Sequence, residues 1–356
     1  MSVASIDSNV LERLKNGGVI PAHPLALRQD LTIDEEAQRR LTRYYLSCGV
    51  DGIAVGVHTT QFEIRDPRFN CFEKVLSFAA EEVSKAEVDR SFIKVAGICG
   101  QTDQAVREAK IAKRLCYDIG LLSMGGLDSL SEKELIERTK AVAQEIPIFG
   151  FYLQPSVGGR VMSYSFWEEF CAIENVYAIK TAPFNRYYTL DVVRAICLSD
   201  RNDDIALYTG NDDNIVIDLI TPYVIEKGGK FIEKRFAGGL LGHYAVWTKK
   251  SVDLFHHIKD GLKNKTLNYE EILQTAVEIT DMNAALFDVA NNFKGSIAGI
   301  HEVLRRQGLL EGIWCLSPKE KLSEGQTDEI ERVISQYEKW TDDQYVKEFI
   351  SNDRCH

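Results

Sequence analysis

A few segments carry side chains whose types and placing could do chemistry. Lys180 closes the run Val176-Tyr177-Ala178-Ile179-Lys180, directly after four apolar or aromatic residues. A lysine ending a buried strand loses hydration, which disfavours the ammonium and lowers its pKa. Only the neutral amine attacks a carbonyl, and at the ordinary pKa of ~10.4 less than ~0.1% is neutral at pH 7. A drop of about 3 in pKa, worth roughly 4 kcal/mol, makes a competent Schiff-base nucleophile. The competing reading is a strand-end lysine that snorkels to solvent or pairs with a carboxylate. Tyr152 offers a hydroxyl that can shuttle a proton, or that simply satisfies a backbone group beside a core aromatic. His58, Thr59 and Thr60 follow the glycine-containing run 52–57. Their hydroxyls and N–H groups suit a carboxylate, or a turn with local bonds, and His58 is a base or a structural ring. Gly210-Asn211-Asp212-Asp213-Asn214 lacks the alternating ligands and closing glutamate of a calcium loop and reads as a turn and helix cap. Arg160, Arg186 and His243 are available to a distal carboxylate or hydroxyl, or are surface charges.

The elements that must position these groups alternate along the chain. Short β-branched segments at 18–22, 52–57, 92–98, 120–124, 146–152, 176–180, 205–209 and 235–239 read as strands. Between them lie helical patterns. One opens on the capping box Thr32-Ile33-Asp34-Glu35 and stops at Gly49; others span 69–85, 102–118, 131–144 (capping box Ser131 to Glu134), 165–172, a segment after Thr189, 215–225 and 244–257. Eight strand–helix pairs in about 250 residues predict an α/β chain, a (β/α)8 TIM barrel over 1–258, with the site at the C-terminal strand ends. The remainder, 259–356, reads as a C-terminal helical extension, with helical spacing near 268–290, 294–307 and 326–350. A doubly wound sheet is the competing fold, but no Gly-x-Gly-x-x-Gly or Walker-type loop follows a strand.

The chain has 356 residues, 45% hydrophobic and 27% charged, which is an ordinary globular composition. A formal net charge of −11 disfavours nucleic acid and anionic membrane surfaces, which reward clustered Lys and Arg. No apolar run approaches the ~20 residues of a membrane span, and the opening MSVASIDSNVLERLKNGG has no signal or lipidation pattern, so a cytoplasmic location is expected. None of the eight cysteines forms Cys-x-x-Cys, and only Cys355-His356 pairs a thiol with an adjacent histidine, which predicts free, mostly buried thiols.

Taken together, the strand ends resemble the dihydrodipicolinate synthase / N-acetylneuraminate lyase family of class I aldolases, from about Gly18 to Gln336. Gly18-Val19-Ile20-Pro21-Ala22, Leu31 to Glu35 and Gly49-Val50-Asp51-Gly52 look like the family's opening. Val55 to Gln61 resembles its Gly-Thr-Thr-Gly-Glu carboxylate-binding turn. Without gaps His58 and Thr59 take the two threonine positions; a one-residue slip uses Thr59 and Thr60. Tyr152-Leu153-Gln154-Pro155 is similar to its Tyr-Asn-x-Pro segment, and Tyr152 stands 28 residues before Lys180, the spacing expected between the family's catalytic tyrosine and Schiff-base lysine. Gly210-Asn211-Asp212 resembles the Gly-Asp-Asp turn, Gly239-Leu240-Leu241-Gly242 the Gly-x-Ile-Ser turn, and 297–316 the helical tail. Three positions depart. The Pro-Tyr-Tyr segment that supplies a relay tyrosine is Met124-Gly125-Gly126-Leu127. The arginine that grips the second substrate would fall at Val157, with Arg160 nearest. His58 replaces a relay threonine.

The resemblance implies a Schiff-base lyase or aldolase acting on a 2-oxo acid such as pyruvate or a 2-keto-3-deoxy acid, and not dihydrodipicolinate synthesis itself. Lys180 and Tyr152 are the implied catalytic residues. Thr59, His58, Thr60, Gly210 and Leu241 are the implied substrate-binding residues. No cofactor or metal is expected, because the iminium takes the Lewis acid's role. A 2-keto-3-deoxy sugar acid dehydratase using the same imine, and a non-catalytic 2-oxo-acid sensor, are the alternatives. The implied partners are a small-molecule 2-oxo acid and further copies of the chain in a tetramer or dimer.

Overall fold

The structure is a computed structural model that describes residues 5–86, 88 and 91–353; Cys355-His356 lies outside them. The strands are β1 (Val19–Pro21), β2 (Gly52–Val55), β3 (Ile93–Ile98), β4 (Ile119–Ser123), β5 (Ile148–Leu153), β6 (Val176–Ala182), β7 (Ala206–Thr209), β8 (Tyr223–Lys227), β9 (Lys230–Lys234) and β10 (Gly238–Leu241). Eight of them form one sheet in the order β1-β10-β7-β6-β5-β4-β3-β2, with β8 and β9 as a separate pair. Parallel strands in this order, with helices between and C-terminal helices after, make the α/β fold a (β/α)8 barrel, as the alternation predicts. The chain divides into two compact units, Met1–Gly18 with Ser91–Leu240, and Val19–Arg90 with Leu241–His356.

In the first unit β3 to β7 pair in parallel, and the register of β5 to β7 fixes which side chains share a face. Phe151 lies opposite Lys180, and Lys180 opposite Tyr208. Side chains alternate along a strand. One face therefore carries Phe149, Phe151, Ala178, Lys180 and Tyr208, and the rings of Phe149 and Tyr208 meet edge-on at 5.2 Å. The other carries Gly150, Tyr152, Ile179 and Thr181 and packs on helix Tyr164–Cys171. A Cβ on Gly150 would sit 2.6 Å from the Phe170 ring, so glycine lets that helix approach. Phe166, Trp167 and Phe170 are all buried there, each contributing about 1.5–3 kcal/mol by burial.

In the second unit β1 and β2 are linked by a parallel bridge between Ala22 and Ala54. Helix Glu35–Cys48 is capped by Asp34, whose side chain accepts from the Ala37 N–H. The expected cap, Thr32, instead turns its hydroxyl to Asp30 at 2.6 Å. The Asx cap prevails because Asp34 sits immediately before the first helical residue. The C-terminal helices Tyr269–Leu286, Ser296–Arg306, Gln326–Gln336 and Asp343–Asp353 belong to this unit. Their tie to helix Glu35–Cys48 combines a ring contact, Tyr44 with Phe349 at 5.7 Å, with polar bonds. Tyr44 donates to the buried Asp342 carboxylate at 2.5 Å, which also accepts from the Lys249 N–H and Gln307 Nε2. Among the described residues no helix is long and apolar enough to cross a membrane.

Helix Ser8–Asn16 is not among the expected elements, the helical segment expected over 326–350 is two helices, Gln326–Gln336 and Asp343–Asp353, and two further elements differ. The helix expected over 215–225 stops at Ile220, and β8 and β9 follow as an antiparallel hairpin. Gly228 and Gly229 form its turn with φ of +57° and +81°, the two-residue hairpin geometry that glycine pairs favour. Val224 points to solvent between half-buried Tyr223 and Ile225, a period of two rather than 3.6. The last sheet strand begins at Gly238, later than the expected 235; Arg235 lies in the preceding loop, and its side chain donates to the Ile220 carbonyl.

Candidate active site

Lys180 lies near the end of β6, buried on the Phe151 face. Its ammonium sits 4.4 Å from the centre of the Phe151 ring, an arrangement that favours the charged form. Asp212 favours it too, but desolvation dominates and brings the Lys180 pKa down to about 8. Relative to the ordinary 10.5, this multiplies the neutral amine at pH 7 by roughly 300. No carboxylate forms an ion pair with Lys180 among the described residues, and the chain does not snorkel to solvent.

Gly210 follows β7 and covers the lysine stem. A Cβ there would lie 2.3 Å from Lys180 Cε, 3.0 Å from its Cγ and 2.9 Å from the Ala182 Cβ. Its N–H donates to the Thr181 carbonyl at 2.7 Å. The loop continues through Asn211, Asp212 and Asp213 to Asn214 and is held by Asp218, a fully buried carboxylate in helix Ile215–Ile220. Thr209, Asn211, Asn214 and Arg186 all donate to it. This loop is a turn, as its sequence suggests, but Asn214 at its end does not cap the helix with its side chain, which bonds Asp218 instead.

Tyr152 is one residue beyond Phe151, so strand alternation turns it to the helix side. Its ring packs on Trp167 at 5.1 Å and Tyr188 at 6.1 Å. Its hydroxyl accepts from the Met162 N–H at 3.3 Å, and burial raises its pKa to about 12. The structure thus brings Gly210, Asp212 and Phe151 to Lys180, but not the Tyr152 hydroxyl. Where the resembled family has Pro-Tyr-Tyr, the segment after β4 is a backbone approach. A Cβ on Gly125 would sit 2.4 Å from the Gly158 carbonyl oxygen, and Gly126 has φ +71°. That approach needs glycine and leaves no relay side chain.

In the second unit the residues after β2 form a 3₁₀ turn, His58–Thr60, then a second, Phe62–Arg65. Thr60 spends its hydroxyl on the backbone, donating to the His23 carbonyl at 2.7 Å and accepting from the Gly56 N–H at 2.9 Å. Thr59 is 4% exposed and its hydroxyl bonds no protein group among the described residues. His58 is half-buried, its ring 6.0 Å from that of Phe62. Gln61 adopts φ +69°, a conformation suited to glycine, and its Oε1 accepts from the Leu316 N–H at 2.6 Å. A positive φ directly after Thr60 matches the glycine of Gly-Thr-Thr-Gly-Glu under the one-residue slip. Leu241 is buried, and its carbonyl accepts from the Ala22 N–H at 3.1 Å.

The three candidates for a distal group are engaged elsewhere. Arg160 donates to the Leu127 and Leu130 carbonyls. His243 is buried against Asn283 at 2.7 Å, with burial lowering its pKa to about 4. Arg186 is exposed but paired with Asp218 at 2.6 Å. Sequence reasoning missed Asp218 and Phe151. For Asp218 the signal is a lone acid inside the apolar run Ile215 to Ile220.

Comparison with known proteins gives a consistent result. A model of the dihydrodipicolinate synthetase family matches residues 15–337. The 4-hydroxy-tetrahydrodipicolinate synthase of Chlorobium phaeobacteroides (strain BS1) is 24% identical over 217 residues, 60% of this chain and 67% of that protein. The enzyme of the same name from Bifidobacterium longum (strain DJO10A) is 27% identical over 209 residues, 58% of this chain and 64% of that one. The matches thus span about two thirds of these relatives. Among solved structures, dihydrodipicolinate synthase from Oceanobacillus iheyensis superposes with a TM-score of 0.72 at 17% identity, covering 93% of this chain and 99% of that one. N-acetylneuraminate lyase from Fusobacterium nucleatum gives 0.69 at 18% identity, covering 91% and 99%.

Proposed function

The chain belongs to the dihydrodipicolinate synthetase family, and from that premise we propose that it is a Schiff-base lyase of 2-oxo acids in which Lys180 is the nucleophile. The observation that carries this reading is the burial of Lys180, which frees its amine near neutral pH. The amine lone pair adds to the 2-carbonyl carbon, and loss of water leaves an iminium. As the hydroxyl on the departing carbon loses its proton and becomes a carbonyl, the carbon–carbon bond breaks and its electron pair passes to the iminium, giving an enamine; protonation at carbon restores the iminium, and addition of water releases the 2-oxo acid and the free amine. Thr59, with its uncommitted hydroxyl, is the group best suited to the substrate carboxylate. Thr60, His58 and Leu241 shape the backbone around it, and Gly210 gives the lysine room.

The proton relay expected of Tyr152 is not supported by its hydrogen bond to Met162. Asp212 is the ionisable group facing Lys180 in the same unit. The reading favours pyruvate or a 2-keto-3-deoxy acid over the two-substrate synthesis carried out by the named relatives, since Val157 stands where that reaction's arginine would be. It assigns the chemistry to 1–258 and treats 259–356 as an extension, in a cytoplasmic homo-oligomer.

Borohydride reduction in the presence of pyruvate tests it. Covalent labelling of Lys180, lost in Lys180→Ala, is the expected result; no label where a known class I aldolase is trapped overturns the mechanism. Product analysis with 2-keto-3-deoxy acids separates an aldolase, which releases pyruvate, from a dehydratase, which loses water without fragmentation. The turned-away Tyr152 and the absent Pro-Tyr-Tyr segment favour one second reading, a 2-oxo-acid sensor. Ligand stabilisation that survives Lys180→Ala, without turnover, would support it.

A further inference from the structure

The buried carboxylate of Asp218 receives four hydrogen bonds. Arg186 and Asn214 donate to Oδ1 at 2.6 and 2.9 Å. Thr209 and Asn211 donate to Oδ2 at 2.6 and 2.9 Å. An ion taken out of water is tolerated only with this degree of pairing. The donors are not spread through the fold. Thr209, Asn211 and Asn214 belong to the one segment that leads from β7 into the helix bearing Asp218. Arg186 opens helix Arg186–Leu198, after β6.

Asn211 extends the network, since its Oδ1 accepts from the N–H of Phe184 at 3.1 Å. Phe184 has φ +49°, a strained conformation for a phenylalanine. The segments that follow the lysine strand and its neighbour are thus both anchored on Asp218. The residues between the anchors are Gly210, in contact with the Lys180 stem, and Asp212, the carboxylate that acts on its ammonium. The charged groups of this region are Asp212, Asp213, Asp218 and Arg186.

We infer that Asp218 is a positioning residue for Lys180: by fixing the 209–214 loop from within the fold it holds Gly210 against the lysine stem and Asp212 toward the amine. Asp218 itself touches neither the amine nor a substrate. Its effect passes through the loop: freeing it uncovers the lysine stem, and the relief of desolvation outweighs the loss of Asp212's attraction. The catalytic meaning of this rests on the reading of Lys180 as the reacting amine. The test reads the amine without any oxo acid, so a failure to trap an imine and a failure of this inference are separate results.

Competitive acetylation of the full chain with acetic anhydride, followed by peptide mass spectrometry across pH 6 to 10, gives the titration midpoint of Lys180. Asp212→Asn removes the charge that favours the ammonium, so the midpoint falls. Asp218→Asn frees the loop, uncovers the stem and raises the midpoint by about half a pH unit or more, roughly threefold in the ammonium-to-amine ratio. In the Asp212→Asn background Asp218→Asn raises it at least as far, because no attraction from Asp212 is left to lose. An unchanged or lowered midpoint on Asp218→Asn in either background overturns the inference. If Asp218→Asn does not fold, Asn214→Ala removes one donor and gives a smaller rise; no rise there overturns it equally.

Discussion

Replacing Gly210 by alanine adds one methyl group, and its destination is fixed by the backbone. The new Cβ would lie 2.3 Å from Lys180 Cε, where ordinary contact begins at 3.4 Å, so Cε must move by about 1.1 Å. The Ala182 Cβ at 2.9 Å and Lys180 Cγ at 3.0 Å close the nearby escape routes. Gly210 has no left-handed φ, so alanine brings no backbone strain of its own, and the whole effect is the displaced lysine. Overpacking of this size costs about 1–3 kcal/mol of stability. A misplacement of ~1 Å at a reacting group costs about 10²-fold in rate. The assay is the rate of borohydride trapping with pyruvate at fixed pH, beside urea unfolding of both proteins. Trapping within about threefold of the parent, with stability unchanged to ~0.5 kcal/mol, would refute the claim that Gly210 provides the lysine's clearance.

Other perturbations read other parts of the site. Imine trapping should rise with pH through about 8, because Lys180 reacts only as the amine; a rise centred near ~10.4, the unperturbed value, would mean that burial does not control it. Thr60→Val should cost about 2–3 kcal/mol in urea unfolding, since it strands both the Gly56 N–H and the His23 carbonyl. Thr59→Val should leave stability in place and raise the pyruvate concentration needed for half-maximal trapping, and the opposite pattern would exchange the two roles. Tyr152→Phe should cost about 1–2 kcal/mol through the stranded Met162 N–H and leave the trapping rate unchanged, whereas a tenfold loss would restore Tyr152 as a relay.

The parts of this structure that were legible in the sequence are those set by local rules. Strand–helix alternation carried the barrel, and the capping box Ser131 to Glu134 forms as written. Lys180 was legible because a charge directly after four apolar residues stands out in a buried strand, although that strand runs two residues further than expected, to Ala182. The hairpin at 223–234 was missed although its glycine pair is a recognised turn signal, because the apolar stretch before it also satisfies a helical period. Tyr152 shows a deeper limit. Its spacing from Lys180 matches the family, yet which face it takes depends on the pairing of Phe151 with Lys180, and a shift of one residue reverses the face. Asp218 shows a related limit: a lone acid in an apolar run is visible, but its partner Arg186 lies 32 residues earlier and meets it only in the fold.

The interleaving of the two units along the sequence has a temporal side. Tyr44 and Asp342 bond across 298 residues of sequence, and Val19–Arg90 shares its compact unit with Leu241–His356. A ribosome adding roughly 5–20 residues per second leaves that early segment without them for about 8 to 30 s before Leu241 is even made. Tyr44 and Tyr45, whose hydroxyls donate to Asp342 and to the Ala245 carbonyl in the finished protein, lack those partners throughout that wait. Synthesis of the chain therefore passes through a stage in which this early segment exists without its late partners.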